Sequence, residues 1–368
     1  MIRPKIAYLM AIFFYLAFLP HALTRVSVLA DFWPYQMEGC MNTKDILLRK
    51  TTNTSRVSYH KRRKKNCHIK SGRWTDAFSG EELRAADDII VAPIIPLSHL
   101  KYLKVNWSKK KLFNFVRESE VLIHFAKGGI SQMFYLGNAE QLVYVPKTFA
   151  QRCEFFGMWM DTKSRWSIPF QEGEKARIGR ELLNCLKESS YNRAETFGDW
   201  FRLTGSRCDS RIEVLRRDGG AWSNSGKGCN GTLNGSWHDL YTDRIFHSTT
   251  GLDIDHMVPL KNAYINGAWR WPKWKKREYA NNLLNPFHLL AVDLSENRKK
   301  SANHPGLYMP PNKSYHCEYL KNWVGIKFRW QLKIAQDEGQ SIIQQLKNCA
   351  KTNLSDYREV INFLAHDD

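Results

Sequence analysis

The chain has 368 residues, of which 43% are hydrophobic and 13% aromatic. These proportions exclude a disordered chain, and the length allows two domains of ordinary size. Lys and Arg number 55 against 36 Asp and Glu, so the net charge is +19. A positive field of that size attracts polyanions, but it does not choose among nucleic acid, anionic lipid and acidic glycan.

The first 30 residues have the pattern of a secretory signal peptide. Arg3 and Lys5 precede an apolar run at 6–19, Pro20 breaks the run, and small residues follow. The run is short for a membrane span, which leaves an uncleaved anchor as the alternative. The sequence therefore predicts a secreted, extracellular protein without a transmembrane segment after signal cleavage.

Two segments of similar sequence follow the predicted signal peptide. CMNTKDILLRK at 40 resembles CDSRIEVLRRD at 208, and CEFFGMWMDTKSRW at 153 matches CEYLKNWVGIKFRW at 317. Self-similarity at a nearly constant offset is typical of an internal duplication. The predicted organisation is a signal peptide at 1–30, one domain at 31–188, a second at 195–352 and a C-terminal tail at 353–368.

The eight cysteines fit a disulfide framework, because the number is even and the chain is predicted to be exported. They form none of the close CxxC pairs that structural zinc sites favour. The simplest pairing that treats both copies alike is Cys40–Cys67, Cys153–Cys185, Cys208–Cys229 and Cys317–Cys349.

The second copy reads as strand, loop, strand and helix. A strand is predicted over IDHMVPL at 254–260, a loop over GAWRWPKWKK at 267–276, and a short strand over HLLAV at 288–292. A helix is predicted to begin at 293–297. Apolar spacing predicts two further helices, at 315–330 and 341–350. The fold class is therefore α+β.

Three segments of the second copy carry chemistry: LDIDHMVPL at 252, NPFHLLAV at 285 and SENRKKS at 295. In this order they resemble the HNH endonuclease family, and most closely its branch of secreted and GmrSD-type restriction-associated proteins. The flanking GSWHDLYT, AYINGAWRW and YMPPN also resemble that branch. The resemblance covers most of the second domain, and it implies two tandem, disulfide-stapled ββα-metal domains.

The same resemblance implies a base and a metal site. His256 would draw a proton from the water that attacks phosphorus, and Asp255 and Asn297 would hold a divalent cation. Oxygen ligands favour Mg²⁺ or Mn²⁺, whereas Zn²⁺ or Ni²⁺ would need a His-rich variant of the site. The alternatives are a satisfied core histidine for His256 and a helix-capping role for Asn297.

Three further residues receive roles by resemblance. Asn285 would hold the base in position, unless it is a turn residue before Pro286. Arg298 and Lys300 would grip phosphate, unless they lie on a solvated helix face. Ser301 stands where many relatives have Gly after the Lys.

The first copy lacks these groups. Ala92 stands where Asp255 does and Pro93 where His256 does, and neither can bind a metal or move a proton. The first domain is therefore predicted to keep the scaffold without the site. At the fixed offset His124 falls on His288, which indicates a structural histidine there.

Cations and aromatics alternate in WRWPKWKKR at 269–277. Arg270, Lys273, Lys275 and Lys276 could bind a phosphate backbone while neighbouring indoles stack on bases. The alternative is that the tryptophans close the core and the lysines are solvated. The run KRRKK at 61–65 is predicted to be a surface charge cluster that raises polyanion affinity.

The sequence as a whole predicts a secreted, metal-dependent endonuclease that hydrolyses DNA, and possibly RNA, with low sequence specificity. One rival is a non-catalytic protein that binds nucleic acid or another polyanion on a nuclease scaffold. The other is a secreted toxin or effector nuclease. Oligomeric state and any inhibitor protein are left open by the sequence.

Overall fold

A computed structural model of the chain describes residues 41–54, 57–60, 68–127, 146, 148–188, 191–202, 208–219, 223–224, 229 and 233–349. The predicted signal peptide, the basic run at 61–65, Cys40, Cys67 and the C-terminal tail lie outside these residues. The chain divides into two compact units. The first unit is Met1–Arg152 with Trp159–Glu172, and the second is Cys153–Met158 with Gly173–Asp368.

Helices and small antiparallel sheets make up both units. Up to residue 165 the elements are α1 Thr43–Thr51, β1 Ser58–Tyr59, β2 Ile69–Thr75, β3 Glu82–Ala85, β4 Ile89–Pro93, α2 Leu97–Tyr102, α3 Lys109–Phe115, β5 Leu122–Ala126 and α4 Phe149–Arg165. Strands β1, β2 and β3 form one sheet, and β4 pairs with β5 in another. Residues of α4 belong to both units.

The remaining elements belong to the second unit. They are α5 Glu174–Glu188, α6 Arg193–Phe197, α7 Ser210–Asp218, β6 Ser223–Asn224, β7 Leu233–Asp239, β8 Arg244–Ser248, β9 Leu252–His256, α8 Leu260–Ile265, α9 Lys273–Ala280, β10 Leu289–Asp293, α10 Leu294–Lys300, α11 His316–Trp330 and α12 Gln336–Cys349. Helix α5, which the sequence assigns to the first domain, lies in the second unit. The predicted domain boundaries remain a prediction.

The two units repeat some local contacts. The indole N–H of Trp74 donates to the carbonyl of Leu48 at 2.7 Å, and that of Trp237 donates to the carbonyl of Leu215 at 2.8 Å. The first bond joins strand β2 to helix α1, and the second joins strand β7 to helix α7. Both indoles are fully buried, so each N–H needs an acceptor inside the protein.

Strand register corrects one detail of the comparison between the copies. Val91 is opposite His124 in the β4–β5 pair, and Ile254 is opposite Ala291 in the β9–β10 pair. If Val91 corresponds to Ile254, then His124 corresponds to Ala291 and not to His288. The fixed offset was wrong here, because the two copies differ in the number of residues between their paired strands.

The predicted strand–strand–helix order is present in the second unit. Strand β9 pairs antiparallel with β10, with His256 opposite Leu289 and Asp255 opposite Leu290. Helix α10 follows β10 directly. Asp293 caps its N-terminus by accepting from two backbone amides of the first turn. The helix therefore starts at a fixed point next to the strand pair, and its residues reach the face that carries Asp255.

Helices α11 and α12 pack beside the strand pair. Cys317 and Cys349 join them, with Cα atoms 5.7 Å apart. Lys327 and Glu338 form a fully buried ion pair at 2.6 Å, and the indole N–H of Trp323 donates to the same carboxylate. Two helices predicted at 315–330 and 341–350 are thus found, although α12 begins five residues earlier than predicted.

The disulfides agree with the predicted framework wherever both cysteines are described. Cys153 bonds Cys185, Cys208 bonds Cys229, and Cys317 bonds Cys349. Among the described residues, no helix has both the length and the apolar character needed to cross a bilayer.

Candidate functional site

The site is built around β9, whose side chains alternate between two faces of the strand pair. Leu252 and Ile254 pack into one apolar cluster, on the same side as His256. Asp253 and Asp255 face the other side, where Leu290 and Val292 of β10 join a second cluster. The imidazole and the carboxylate of the consecutive pair therefore lie on opposite faces of the strand.

Asp255 is buried and fully engaged. One carboxylate oxygen accepts the hydroxyl of Tyr241 at 2.6 Å, and the other accepts the ammonium of Lys300 at 2.8 Å. Burial raises the pKa of Asp255 and lowers that of Lys300, while their mutual attraction opposes both shifts. The pair is stable as an ion pair because each charge neutralises the other.

Lys300 points inward and not toward a phosphate. Its side chain is 0% exposed, and its ammonium also donates to the backbone carbonyl of His256 at 2.9 Å. The predicted phosphate contact would require this side chain to leave Asp255. Arg298, on the same helix, is exposed and keeps the role that the sequence predicts for it.

Asn297 pairs with Asp253, a residue that the sequence analysis did not assign. The amide nitrogen donates to the carboxylate at 3.0 Å, and the other carboxylate oxygen accepts the backbone N–H of Ile254. Because the carboxylate only accepts, the amide oxygen of Asn297 points away from it. The side chain of Asn297 therefore contacts Asp253, and not Asp255, with which it was predicted to share one cation.

A hard divalent cation fits the donor types on this face of the strand. Asp253 and Asp255 lie on the same face of β9, and the helix amide of Asn297 reaches that face. Two carboxylates and an amide are oxygen ligands of the kind that Mg²⁺ prefers. Among the described residues, no group of three or more His, Cys, Asp or Glu side chains could hold a metal, so the choice of ion stays a prediction.

His256 has a defined tautomer. Its Nε2 lies 2.9 Å from the backbone carbonyl of Ala280, and a carbonyl can only accept, so Nε2 carries the proton. Burial lowers the pKa of His256 to about 3, which keeps the ring neutral at physiological pH. Nδ1 therefore carries a lone pair that can accept a proton.

The ring of His256 is also held by an aromatic face. Trp200 stacks on it with ring centroids 5.5 Å apart and an interplanar angle of 11°. The predicted partner, Asn285, instead forms a turn, because its side-chain oxygen accepts the backbone N–H of Phe287 at 2.9 Å. Within the described part of the chain, the ring of His256 contacts Ala280 and Trp200, and the side chain of Asn285 bonds Phe287 instead.

His288 is buried and bonded to the backbone, which agrees with the predicted structural role, although the match to His124 that suggested this role does not hold. Its Nε2 lies 2.7 Å from the carbonyl of Tyr279, and the ring is 1% exposed. Burial lowers the pKa of His288 to about 4. The neutral ring stacks edge-on against Tyr279 and supports the C-terminal end of α9.

The basic aromatic segment folds as a short helical turn followed by α9, and not as a loop. Trp271 and Trp274 are buried, so the interpretation in which these two indoles stack on bases is wrong. Lys275 is also buried and lies over the Trp271 ring, with its ammonium 5.1 Å from the ring centroid. Of the four predicted phosphate contacts, Lys273 is exposed, and Arg270 and Lys276 are half-buried.

Comparison with known proteins places this site in a family. Residues 217–345 match the family described as GmrSD restriction endonucleases, C-terminal domain. The chain is also 34% identical, over 162 residues, to an "uncharacterized secreted protein" of Arthroderma benhamiae. That alignment covers 44% of this chain and 77% of the relative.

The chain belongs to the GmrSD C-terminal domain family. The family indicates a nuclease-related function, and the match at 217–345 contains β9, β10 and α10. No solved structure matches the chain. The secreted relative and the three described disulfides agree with an extracellular protein.

Four residues of this GmrSD-type site escaped the sequence analysis: Asp253, Trp200, Tyr241 and the carbonyl of Ala280. One signal could have found Tyr241. At the aligned positions of the two copies, WTDAF at 74 and WHDLY at 237, Phe78 replaces Tyr241. The first copy thus lacks the hydroxyl as well as the carboxylate to which it donates. The paired difference agrees with the hydrogen bond between Tyr241 and Asp255.

Proposed function

We propose that the chain is a secreted endonuclease that hydrolyses phosphodiester bonds of DNA, and also of RNA, with low sequence preference. The observation that carries the proposal is the tautomer of His256. Its Nε2 is bound to a backbone carbonyl at 2.9 Å, so Nδ1 is the free basic nitrogen. The family of the second unit supports the choice of substrate.

In the proposed reaction, Nδ1 of His256 takes a proton from the water that attacks phosphorus. Arg298 is exposed on α10 and contacts the phosphate. Asp253, Asp255 and Asn297 would hold the divalent cation, which we propose is Mg²⁺, with Mn²⁺ able to replace it. The ammonium of Lys300 would have to leave the carboxylate of Asp255 for the cation to bind there. When bound, the cation would neutralise charge that develops on the phosphate and the leaving oxygen.

The low pKa of His256 has a consequence for substrate binding. Burial makes the free ring a weak base, and a phosphate close to the ring would raise its pKa by favouring the protonated form. The ring therefore gains basic strength when the polyanion is bound.

Nicking of supercoiled plasmid DNA in Mg²⁺ tests the proposal. We expect His256→Ala to lose cleavage by at least about 10²-fold, because no other group takes the proton. EDTA should abolish cleavage by the wild type, and added Mg²⁺ should restore it. His247→Ala removes an exposed histidine away from the site and should cut like the wild type. Equal cleavage by His256→Ala would refute the assignment.

A non-catalytic polyanion-binding protein is the second candidate, and one contact favours it. The ammonium of Lys300 already satisfies Asp255, so the carboxylate is neutralised without a metal. In that case the wild type would bind plasmid DNA without cutting it under any divalent cation.

We also propose that the two units arose by duplication and that the first has lost the site. A second repeated contact supports this in addition to the paired tryptophans. Lys163 donates to the carbonyl of Pro169 at 3.0 Å, and Lys327 donates to that of Lys333 at 3.0 Å. Both buried lysines lie over a tryptophan ring.

A further inference from the structure

Trp200 lies outside the residues that match the family, yet it contacts the proposed base. The match begins at residue 217, whereas Trp200 belongs to the segment at 191–202. Its indole is half-buried and stacks face to face on the imidazole of His256, 5.5 Å away and tilted by 11°. It also packs against the apolar cluster that contains Ile254.

The segment that carries Trp200 is fixed to the same end of α9 that binds His256. The backbone N–H of Phe201 donates to the side chain of Asn281 at 2.7 Å. The guanidinium of Arg277 lies over the Phe201 ring, 4.5 Å from its centroid. Asn281 is the next residue after Ala280, whose carbonyl accepts from His256. One short stretch of chain thus sets both contacts of the imidazole.

The two contacts restrain different motions of the ring. The hydrogen bond from Nε2 fixes the position of that atom. The imidazole can still rotate about the line that joins Nε2 to its own Cβ. A flat indole parallel to the imidazole fixes the plane and stops this rotation. Together the contacts determine the direction in which Nδ1 points, and a reacting group that is displaced by about 1 Å can lose about 10²-fold in rate.

We propose that Trp200 is a positioning residue, which holds the imidazole of His256 so that Nδ1 points at the attacking water. The inference rests on the proposed nuclease function and adds a residue from outside the family match to the active site. Trp200 itself touches neither the water nor the phosphate. Its effect is therefore expected on the chemical step and not on substrate affinity.

Steady-state cleavage by Trp200 variants tests this. Trp200→Leu keeps an apolar side chain, although a smaller one, and removes the flat face. We expect kcat to fall by roughly tenfold or more while KM changes by less than about twofold. Trp200→Phe keeps an aromatic face and should restore most of kcat. A Trp200→Leu variant with the kcat of the wild type would overturn the proposal.

A matched control separates positioning from packing. Phe246 is half-buried and packs against the same apolar cluster, and its described ring contact is with Arg244 and not with His256. Phe246→Leu likewise replaces a ring on this cluster with a smaller apolar side chain, yet it should keep the kcat of the wild type. An equal loss of kcat in both variants would mean that Trp200 acts only through packing, and would overturn the proposal.

A second readout does not depend on cleavage. Diethyl pyrocarbonate acylates unprotonated imidazole, and peptide mapping by mass spectrometry follows the modification of His256 alone. We expect faster modification in Trp200→Leu than in the wild type or Phe246→Leu, because one face of the ring is uncovered. The two failures are distinguishable. Equal cleavage by the wild type and His256→Ala would refute the nuclease proposal. An unchanged rate of His256 modification in Trp200→Leu would refute the role of Trp200.

Discussion

A single backbone carbonyl decides what His256 can do. The carbonyl of Ala280 accepts from Nε2, so the base nitrogen is Nδ1 and the ring is neutral. His288 makes the equivalent bond to the next carbonyl back along α9, that of Tyr279. Two neutral, buried imidazoles therefore lie at the end of one helix, and Nδ1 of His288 is shielded from solvent and has no hydrogen-bond partner among the described residues.

His288 makes the stability of the protein depend on pH. The ring binds a proton at its ordinary pKa near 6.5 when unfolded, but only at about 4 when folded. Stability is therefore complete above about pH 6.5 and is lost as pH falls toward 4, by about 3 kcal/mol at most. Urea unfolding of the wild type at several pH values should show this loss.

The His288→Gln variant is the control for that measurement. Its amide can still donate to the carbonyl of Tyr279 but does not titrate. The variant should therefore lose less stability than the wild type over the same pH range. Parallel pH dependence in the two proteins would show that another group is responsible.

At the scale of elements, the join between β10 and α10 positions the polar face. Asp293 caps the helix, and within two turns the helix supplies Asn297 to Asp253 and Lys300 to Asp255. Residues three apart on a helix lie on one side, and residues two apart on a strand lie on one face. The Asn297–Asp253 and Lys300–Asp255 contacts therefore lie side by side between helix α10 and strand β9.

The end of α10 contains a strained residue. Ser301 has φ 49° and ψ −124°, a region that disfavours side chains but suits glycine. We expect Ser301→Gly to stabilise the protein by about 1 kcal/mol, because it relieves the strain. Thermal unfolding checks this, and Ser301→Ala, which keeps the Cβ, should bring no gain. A destabilised Ser301→Gly would show that the hydroxyl matters more than the backbone.

For the whole molecule, the net charge of +19 governs binding to nucleic acid. Binding that releases counterions weakens steeply with salt. We expect the affinity of the His256→Ala variant for duplex DNA to fall by about 10³-fold between roughly 50 and 200 mM salt. Fluorescence anisotropy measures it without interference from cleavage. A flat response to salt would argue that polyanions are not the substrate.

The proposed duplication explains why the first unit can lack a site and still fold. Buried Trp74 and Lys163 keep the contacts that Trp237 and Lys327 make in the second unit. These contacts tie elements together, so they are needed in both units. Ala92 stands at the position of Asp255 and is paired with Ile123 across the strands, so the strand pair forms there without a carboxylate.

Much of this could be predicted from the sequence. Strand β10 and helices α10 and α11 begin within one residue of their predicted starts, because hydrophobic period and capping residues are local signals. Strand β9 was predicted too far toward the C-terminus: MVPL at 257 leads into helix α8, with Pro259 at its N-cap. Alternation along β9 also implies that Asp255 and His256 face apart, a local signal that the sequence analysis missed.

The sequence by itself determined the family of the second unit, the three described disulfides, the sign of the charge and the strand–strand–helix order around His256. The tertiary structure alone decided that Lys300 neutralises Asp255, that Asn297 pairs with Asp253, and that Trp200 covers the ring of His256. The physical reason is distance along the chain. Tyr241 and Asp255 are 14 residues apart, and Lys300 and Asp255 are 45 apart. The hydrophobic period of a sequence does not show which of its many Lys, Arg or Tyr side chains will contact a given carboxylate in the folded protein.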